Sequence, residues 1–114
     1  MTKKKPSAQL KKARVLINRG WCKGAWSLEV LHEYKNKPSE YVCHYCASGA
    51  LNEVEKVWIS IASEQLRLSA KRYAREKNYF AFTLTRFNDN QNTTKQDVLN
   101  VFDIAIKTLQ KEGQ

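Results

Sequence analysis

The sequence predicts a mainly α-helical single domain of about four helices, interrupted by an irregular segment over residues 20–44 that could hold a short β-hairpin. Three observations lead to this fold class. The length of 114 residues is that of one domain. Apolar residues recur at helical spacing in four stretches. A capping box, Thr94 with Asp97, opens the last stretch. We expect residues 1–6 to form a flexible basic tail and residues 7–112 to form the helical domain.

Composition excludes several classes of protein. The hydrophobic content of 42% suffices for one core, and no apolar run approaches the ~20 residues that a membrane-spanning helix needs. No apolar segment follows the lysines at the N-terminus, so we expect no secretory signal. Three cysteines, an odd number, argue against a closed disulfide framework. We therefore expect a cytoplasmic protein.

The first predicted helix covers residues 7–19. Ser7 follows Pro6 and is a plausible N-cap, because its hydroxyl can accept a bond from an unpaired backbone N–H. Gly20 suits a left-handed C-terminal stop. The apolar residues between them recur at helical spacing: Leu10, Ala13, Leu16 and Ile17.

Residues 20–44 have no single periodicity. Residues 21–26 are rich in aromatic residues and glycine, and residues 28–34 fit either a short strand or a helical turn. Asn, Pro and Ser over residues 36–39 predict a turn. Residues 41–42 could then pair with the earlier segment as a hairpin.

The second predicted helix begins near Tyr45 with a run of small residues. Gly49 inside a helix costs about 1 kcal/mol relative to Ala, so we expect tight packing there to offset this cost. The pattern predicts that the helix continues to Ile61, with one apolar face made of Ala47, Ala50, Leu51, Val54, Val57, Trp58 and Ile61.

The third predicted helix runs from Ser63, as its N-cap, to Lys77. Its apolar stripe consists of Leu66, Ala70, Tyr73 and Ala74. Another face carries cations one helical turn apart. We call this set the basic ridge, and it comprises Arg67, Lys71, Arg72 and Arg75.

The C-terminal third contains the clearest helix, predicted over residues 94–111. Residues 79–84 fit an extended segment or a last helical turn, and the polar residues 87–92 predict a turn. By spacing, the three tryptophans are mostly core residues, although Trp26 could instead be an exposed contact residue. The predicted core comprises Leu10, Ile17, Ala50, Leu51, Val54, Trp58, Ile61, Leu66, Tyr73, Val98, Phe102, Ile106 and Leu109.

Several short motifs together resemble a known family. They are Trp21-Cys22-Lys23-Gly24-Ala25, Cys46-Ala47-Ser48-Gly49-Ala50-Leu51, Phe87-Asn88-Asp89, and Thr94 with Val98, Phe102, Asp103, Ala105 and Ile106. The chain resembles small bacterial and phage proteins grouped as domain of unknown function 6197. The resemblance implies a shared fold and functional constraint near Trp21, Cys46, Asn88 and Asp89, but no activity. Phe87 stands where members usually have Trp, and the basic tail and Cys43 are particular to this chain.

The cysteines raise two chemical hypotheses. Cys43-x-x-Cys46 matches half a zinc site, which Cys22 with His32 or His44 could complete, although a second paired spacing is absent. Alternatively, Cys46 near a helix N-terminus could be a nucleophile with a histidine as its base. The simpler interpretation is that these small thiols pack as hydrophobic residues. We therefore assign no catalytic residue and no cofactor, and keep Cys22, Cys43, His44 and Cys46 as an alternative thiol or zinc cluster. Asn88 and Asp89 are better explained as loop anchors.

The charge distribution points to a polyanionic or acidic partner. The formal net charge is +9, and it is concentrated in the N-terminal segment and on the basic ridge. Aromatic residues beside the ridge could stack on bases, but no helix-turn-helix or other nucleic-acid-binding signature is present. The predicted binding residues are Lys3, Lys4, Lys5, Lys11, Lys12, Arg67, Lys71, Arg72 and Arg75.

The leading functional hypothesis is a small non-enzymatic, phage-type binding protein that engages nucleic acid or a nucleic-acid-handling complex. One alternative is an inhibitor that docks on an acidic surface of a host enzyme or defence protein. Another is a hydrolase that depends on cysteine or zinc.

Overall fold

Five α-helices and one β-hairpin make up residues 4–114, the part of the chain that the computed structural model describes. In chain order the elements are α1 (Pro6–Arg19), β1 (Ser27–Tyr34), β2 (Lys37–Tyr45), α2 (Ala47–Glu55), α3 (Ile61–Glu76), α4 (Leu84–Asp89) and α5 (Lys95–Lys111). The predicted fold class, mainly α with a short hairpin, is confirmed. Lys3 of the predicted tail lies outside the described residues. Over residues 4–114, no helix is long and apolar enough to cross a membrane.

Helix α1 begins one residue before the predicted range of 7–19 and ends where predicted, but the residues at its two ends do not play the predicted capping roles. Pro6 occupies the first turn and Lys5 is the N-cap, so the prediction of Ser7 as N-cap was wrong. Ser7 instead uses its N–H and its hydroxyl to donate to the carbonyl oxygen of Gln114, over 3.1 and 2.9 Å. Gly20 is extended at φ −173°, not left-handed. A Cβ at Gly20 would overlap the ring of His44, and this close approach explains the glycine.

The segment predicted to be irregular contains an ordered antiparallel hairpin. Strands β1 and β2 pair with Val30 opposite Val42, and the register shifts between His32 and Tyr34. The chain turns at residues 35–36 rather than at the predicted 36–39. At the root of the hairpin, the N–H of Tyr45 donates to the carbonyl of Gly20 over 2.9 Å, which ties β2 to the end of α1.

Helix α2 is shorter than predicted. It ends at Glu55, and Lys56 adopts a left-handed conformation at φ 62°. Ser60 then caps α3 in a capping box with Ser63, so Ser63 is not the N-cap. The apolar spacing up to Ile61 therefore continues across the non-helical residues 56–60, which connect two separate helices. Val57, Trp58 and Ile61 are 49%, 50% and 59% exposed, and the assignment of Trp58 and Ile61 to the core was wrong.

The polar stretch predicted as a turn over residues 87–92 begins as a helix. Thr83 caps α4 by accepting the N–H of Arg86 over 3.1 Å. This short helix directs Phe87 and Asn88 inward, and both are fully buried. The capping box of Thr94 with Asp97 at the start of α5 is confirmed.

The core lies between the helices, and it contains most of the residues that were predicted for it. Nine are buried as expected, and Val54 and Tyr73 are half-buried against them. The nine are Leu10, Ile17, Ala50, Leu51, Leu66, Val98, Phe102, Ile106 and Leu109. Trp26 and Trp58, both largely exposed, pack on one another with ring centroids 4.9 Å apart.

Gly49 lies where α2 meets residues 21–26, and we expect Gly49→Ala to destabilise the fold. A Cβ there would overlap the backbone carbonyl of Trp26, which also accepts the N–H of Cys46 over 3.1 Å. Overpacking of this kind should lower the free energy of unfolding by about 1–3 kcal/mol, despite the better helix propensity of Ala. Urea unfolding measures the change. Ser48→Ala, in the same helical turn, is the control and should shift stability by less than about 0.5 kcal/mol. A Gly49→Ala protein more stable than wild type would contradict the close approach.

Candidate functional site

Three of the four motifs that carry the family resemblance meet at the side chain of Asn88, which is fully buried. Its Oδ1 accepts the indole N–H of Trp21 over 2.6 Å and the backbone N–H of Ala47 over 3.0 Å. Its Nδ2 donates to the carbonyl of Cys22 over 2.9 Å and to Asp89 Oδ1 over 3.0 Å. A primary amide can accept two hydrogen bonds and donate two, so the side chain is saturated. Asn88 therefore has no free polar atom for a substrate.

Asp89 and its neighbour complete the attachment of residues 21–26. The Oδ1 of Asp89 also accepts the N–H of Gly24 over 3.0 Å, where the chain takes a left-handed conformation at φ 77°. The ammonium of Lys23 donates to the carbonyl of Asn90 over 2.6 Å. These contacts match the interpretation of Asn88 and Asp89 as loop anchors.

A cavity of about 410 Å³ opens beside this network. It is lined by Gly24, Ala25, Trp26, Cys46, Thr85 and Asp89. The thiol of Cys46 caps α2 and accepts the N–H of Gly49 over 3.3 Å. Burial raises the pKa of Cys46, and this effect outweighs the hydrogen bonds from Gly49 and Ser48 that lower it. The thiol is thus protonated at neutral pH, which disfavours its use as a nucleophile.

The other two cysteines are placed in different surroundings. Cys22 is buried, and its thiol donates to the carbonyls of Ala25 and His44 over 3.4 and 3.5 Å. Burial, followed by the proximity of Cys46, raises the pKa of Cys22. Cys43 is exposed on β2 opposite Glu29. Over residues 4–114, no three His, Cys, Asp or Glu side chains are grouped as a metal would require. The alternative cluster of Cys22, Cys43, His44 and Cys46 is therefore not arranged as a metal site in the described residues.

The basic ridge on α3 is divided by its acidic neighbours. Arg67 pairs with Glu64 over 2.5 Å, and the hydrogen bond to this carboxylate raises the pKa of the arginine. Arg72 pairs with Glu76 over 3.4 Å. Lys71 and Arg75 have no ion pair within the described part of the chain. Lys71 and Arg75 are therefore the ridge cations whose charge no neighbouring carboxylate of the described chain offsets by an ion pair.

Lys71 and Arg75 lie beside aromatic side chains. With Tyr79, Phe80 and Ala81 they line a cleft of about 40 Å³. Phe80 and Phe82 are 75% and 62% exposed, with ring centroids 5.0 Å apart. We call Lys71, Arg75, Phe80 and Phe82 the cation-aromatic patch.

Two other aromatic residues near the ridge belong to the scaffold. The hydroxyl of Tyr73 donates to Asp97 over 2.8 Å. The ring of Tyr79 stacks on Phe87 at a centroid distance of 6.3 Å. These two rings are therefore not free to stack on a ligand.

The N-terminal cations and the cation-aromatic patch lie toward opposite ends of α5. Ser7 contacts Gln114 just beyond the C-terminus of α5, whereas Lys77, on the turn after Arg75, bonds to Asp97 in the first turn of α5. Toward the C-terminal end of α5, the exposed cations of the N-terminal segment are Lys4, Lys5, Lys11 and Lys12. Helix α5 adds Lys107 and Lys111 there, which sequence reasoning missed although their spacing of four residues was visible.

Asn88→Asp tests the saturated amide. The substitution keeps the shape but replaces both Nδ2 donors with an acceptor that faces the Cys22 carbonyl and the Asp89 carboxylate. We expect the free energy of unfolding to fall by about 3 kcal/mol at neutral pH, as measured by urea unfolding. The deficit should shrink as the pH falls, because a protonated carboxyl regains one donor. Asn92→Asp, at an exposed site, is the control. Equal stability of the two variants would contradict the structural role of Asn88.

Comparison with models of protein families gives a match. A search of curated proteins and a search of solved structures found no match. The model of a family of unknown function, DUF6197, matches residues 1–108 of the chain. This match covers nearly the whole described domain, including the three motifs that meet at Asn88 and the motif on α5. The chain therefore belongs to the DUF6197 family of unknown function.

Proposed function

We propose that this protein binds single-stranded nucleic acid, alone or within a nucleic-acid-handling complex, through the cation-aromatic patch. One observation carries the proposal: the exposed Phe80 lies beside the two ridge cations that have no carboxylate partner in the described chain, and the exposed Phe82 packs against Phe80. In single-stranded nucleic acid, the backbone phosphates are attracted by cationic side chains, and the unpaired bases stack on exposed aromatic rings. The patch offers both kinds of group on one surface.

The exposure of Phe80 and Phe82 supports a role in binding and not in stabilising the fold. A buried phenylalanine contributes about 1.5–3 kcal/mol to stability through removal from water, and these two side chains forgo much of that gain. Each base that stacks on an aromatic ring contributes about 1–3 kcal/mol to binding of a single strand. A duplex, whose bases are already stacked on one another, gains nothing from such rings.

The wider charge distribution supports the same partner. The net charge of +9 favours association with a polyanion over a range of distances. The 17 residues of α5 separate the patch from the N-terminal lysines by about 25 Å. A single strand that followed this helix would contact both the patch cations and the N-terminal lysines, whereas a mononucleotide could contact only one of these two groups.

Binding to an acidic surface of a host protein is the alternative partner. Such docking would use the cations but not the stacking faces of Phe80 and Phe82. The contribution of the phenylalanines to binding of an oligonucleotide therefore separates the two partners.

The test is fluorescence anisotropy with labelled oligothymidylate and oligouridylate of about 20 nucleotides, between about 50 and 200 mM salt. Phe80→Ser with Phe82→Ser should weaken binding by about 5- to 150-fold, the equivalent of one stacked base, without changing the salt dependence. Lys71→Gln with Arg75→Gln should weaken binding and reduce the slope of log K against log salt by about 1.4, since each lost phosphate contact on a single strand accounts for about 0.7.

Arg67→Gln with Arg72→Gln is the matched control. It removes the same charge from the same helix, but from arginines already paired with Glu64 and Glu76. Its effect should be clearly smaller than that of the Lys71 and Arg75 double variant. Absence of binding to either oligonucleotide at about 50 mM salt, or equal effects of the two charge variants, would overturn the proposal.

A further inference from the structure

The cavity of about 410 Å³ beside the Asn88 network shares no lining residue with the cation-aromatic patch. Its volume lies within the range of about 300–1,000 Å³ that is typical of small-molecule sites. Such sites combine apolar walls with a few polar groups that orient the ligand. The polar side chains that line this cavity belong to Cys46, Thr85 and Asp89. Their charges and hydrogen bonds decide which kind of ligand the cavity accepts.

Asp89 offers one carboxylate oxygen to a ligand. Its Oδ1 already accepts the N–H of Gly24 and the Nδ2 donor of Asn88, both over 3.0 Å. Its Oδ2 takes part in no hydrogen bond within residues 4–114, and the side chain is exposed. The same part of the chain supplies no ion pair to this carboxylate. The group is thus oriented through one oxygen, while the other oxygen is free.

The neighbouring side chains leave the charge of Asp89 uncompensated. The ammonium of Lys23 donates to the carbonyl of Asn90 over 2.6 Å and lies 5.4 Å from the centroid of the Trp21 ring. The thiol of Cys46 is neutral, because burial and, to a smaller degree, the charge of Asp89 raise its pKa. Of the lining residues in the described part of the chain, Asp89 alone is therefore charged at neutral pH. The cavity favours a cation.

Thr85 and Trp26 add a hydrogen-bond acceptor and an aromatic wall. Thr85 lies four residues before Asp89 on α4, so the two side chains share one face of the helix. Its hydroxyl oxygen can accept a hydrogen bond from the same donor as Asp89. Trp26 packs on Trp58 with ring centroids 4.9 Å apart, yet its indole remains largely exposed. An exposed indole attracts a cation, and it also provides an apolar surface for methylene groups.

We propose that this cavity binds an alkylammonium group, with the nitrogen at Asp89 and Thr85 and the carbon chain against Trp26. A primary ammonium carries three N–H donors, so it can bond to both side-chain oxygens at once. A guanidinium fits less well, because its two parallel N–H groups favour two free carboxylate oxygens, and Oδ1 is occupied. The net charge of +9 opposes the approach of a cation, so binding depends on these short-range contacts.

Titration of the full chain with n-butylammonium, followed by nuclear magnetic resonance, tests the proposal. The resonances of the Gly24 backbone N–H and the Trp26 indole N–H should shift and saturate together. We expect a dissociation constant of about 1 mM, because so small a ligand has few atoms with which to gain free energy. 1-Butanol, which has the same carbon chain and a neutral hydroxyl, should bind about 10- to 150-fold more weakly, because it lacks the charge that strengthens the hydrogen bond to Asp89.

Two variants test the polar and the aromatic contact separately. Asp89→Asn keeps the acceptor at Oδ1 but removes the charge, and it should weaken binding of n-butylammonium by about 10- to 150-fold. Glu112→Gln, which removes the charge of an exposed carboxylate beyond α5, is the matched control and should bind as wild type does. Trp26→Leu should weaken binding by about 2- to 30-fold through loss of the cation–π contact. Because the Trp26 ring is largely exposed, this variant tests the site even where Asp89→Asn alters the fold.

A short peptide of glycine, lysine and glycine, blocked at both ends, identifies the source of the ammonium group. Its lysine side chain has the same four carbons as n-butylammonium. Binding of the peptide at least as tight as that of n-butylammonium would assign the cavity to a lysine of a partner protein, and weaker binding would assign it to a free amine. Absence of a saturable shift, equal binding of n-butylammonium and 1-butanol, or unchanged binding in both Asp89→Asn and Trp26→Leu would overturn the proposal.

Discussion

The buried amide of Asn88 is the interaction on which the arrangement of the chain depends. It joins the start of the α1–β1 connection, the first turn of α2 and the short helix α4 through four hydrogen bonds. Loss of the amide would leave the buried Ala47 N–H and Cys22 carbonyl, and the partly buried Trp21 indole, without these partners, and each buried group left unpaired costs about 1–3 kcal/mol. The root of the hairpin is attached to the same segment. The position of the hairpin therefore follows from that of Asn88.

This network separates the residues that hold the fold from those that meet solvent. Trp21, Cys46 and Asn88, which carry much of the family resemblance, are committed to internal hydrogen bonds or packing. In these contacts the motifs act as a structural scaffold. The exposed aromatic side chains Phe80 and Phe82 lie elsewhere, on the cation-aromatic patch. The family motifs thus account for the fold, while the proposed recognition of nucleic acid rests on the surface residues that surround it.

Sequence patterns predicted the elements that local interactions determine. Helices α1 and α5 follow from apolar spacing, and the Thr94–Asp97 capping box places the start of α5 within one residue. The pattern failed at Ile61 because helical spacing continued by chance across Lys56–Ser60, where a capping box begins a new helix. Helix α4 was missed because Asn88 and Asp89 resemble turn residues when their distant partners are unknown. The cavity beside Asp89 and the ion pairs that divide the basic ridge likewise depend on tertiary placement and on rotamers.

Hydrogen exchange of the Asn88 side-chain amide tests the central claim most directly. The two Nδ2 protons give their own resonances in a ¹H–¹⁵N spectrum, and both are bonded in the fold. They should exchange with solvent as slowly as the backbone amides of the α5 core, because both require global opening. The side-chain amide of the exposed Asn92 provides the fast reference. Exchange of Asn88 at the rate of Asn92 would show that the network opens locally and would contradict its role as the attachment point of the fold.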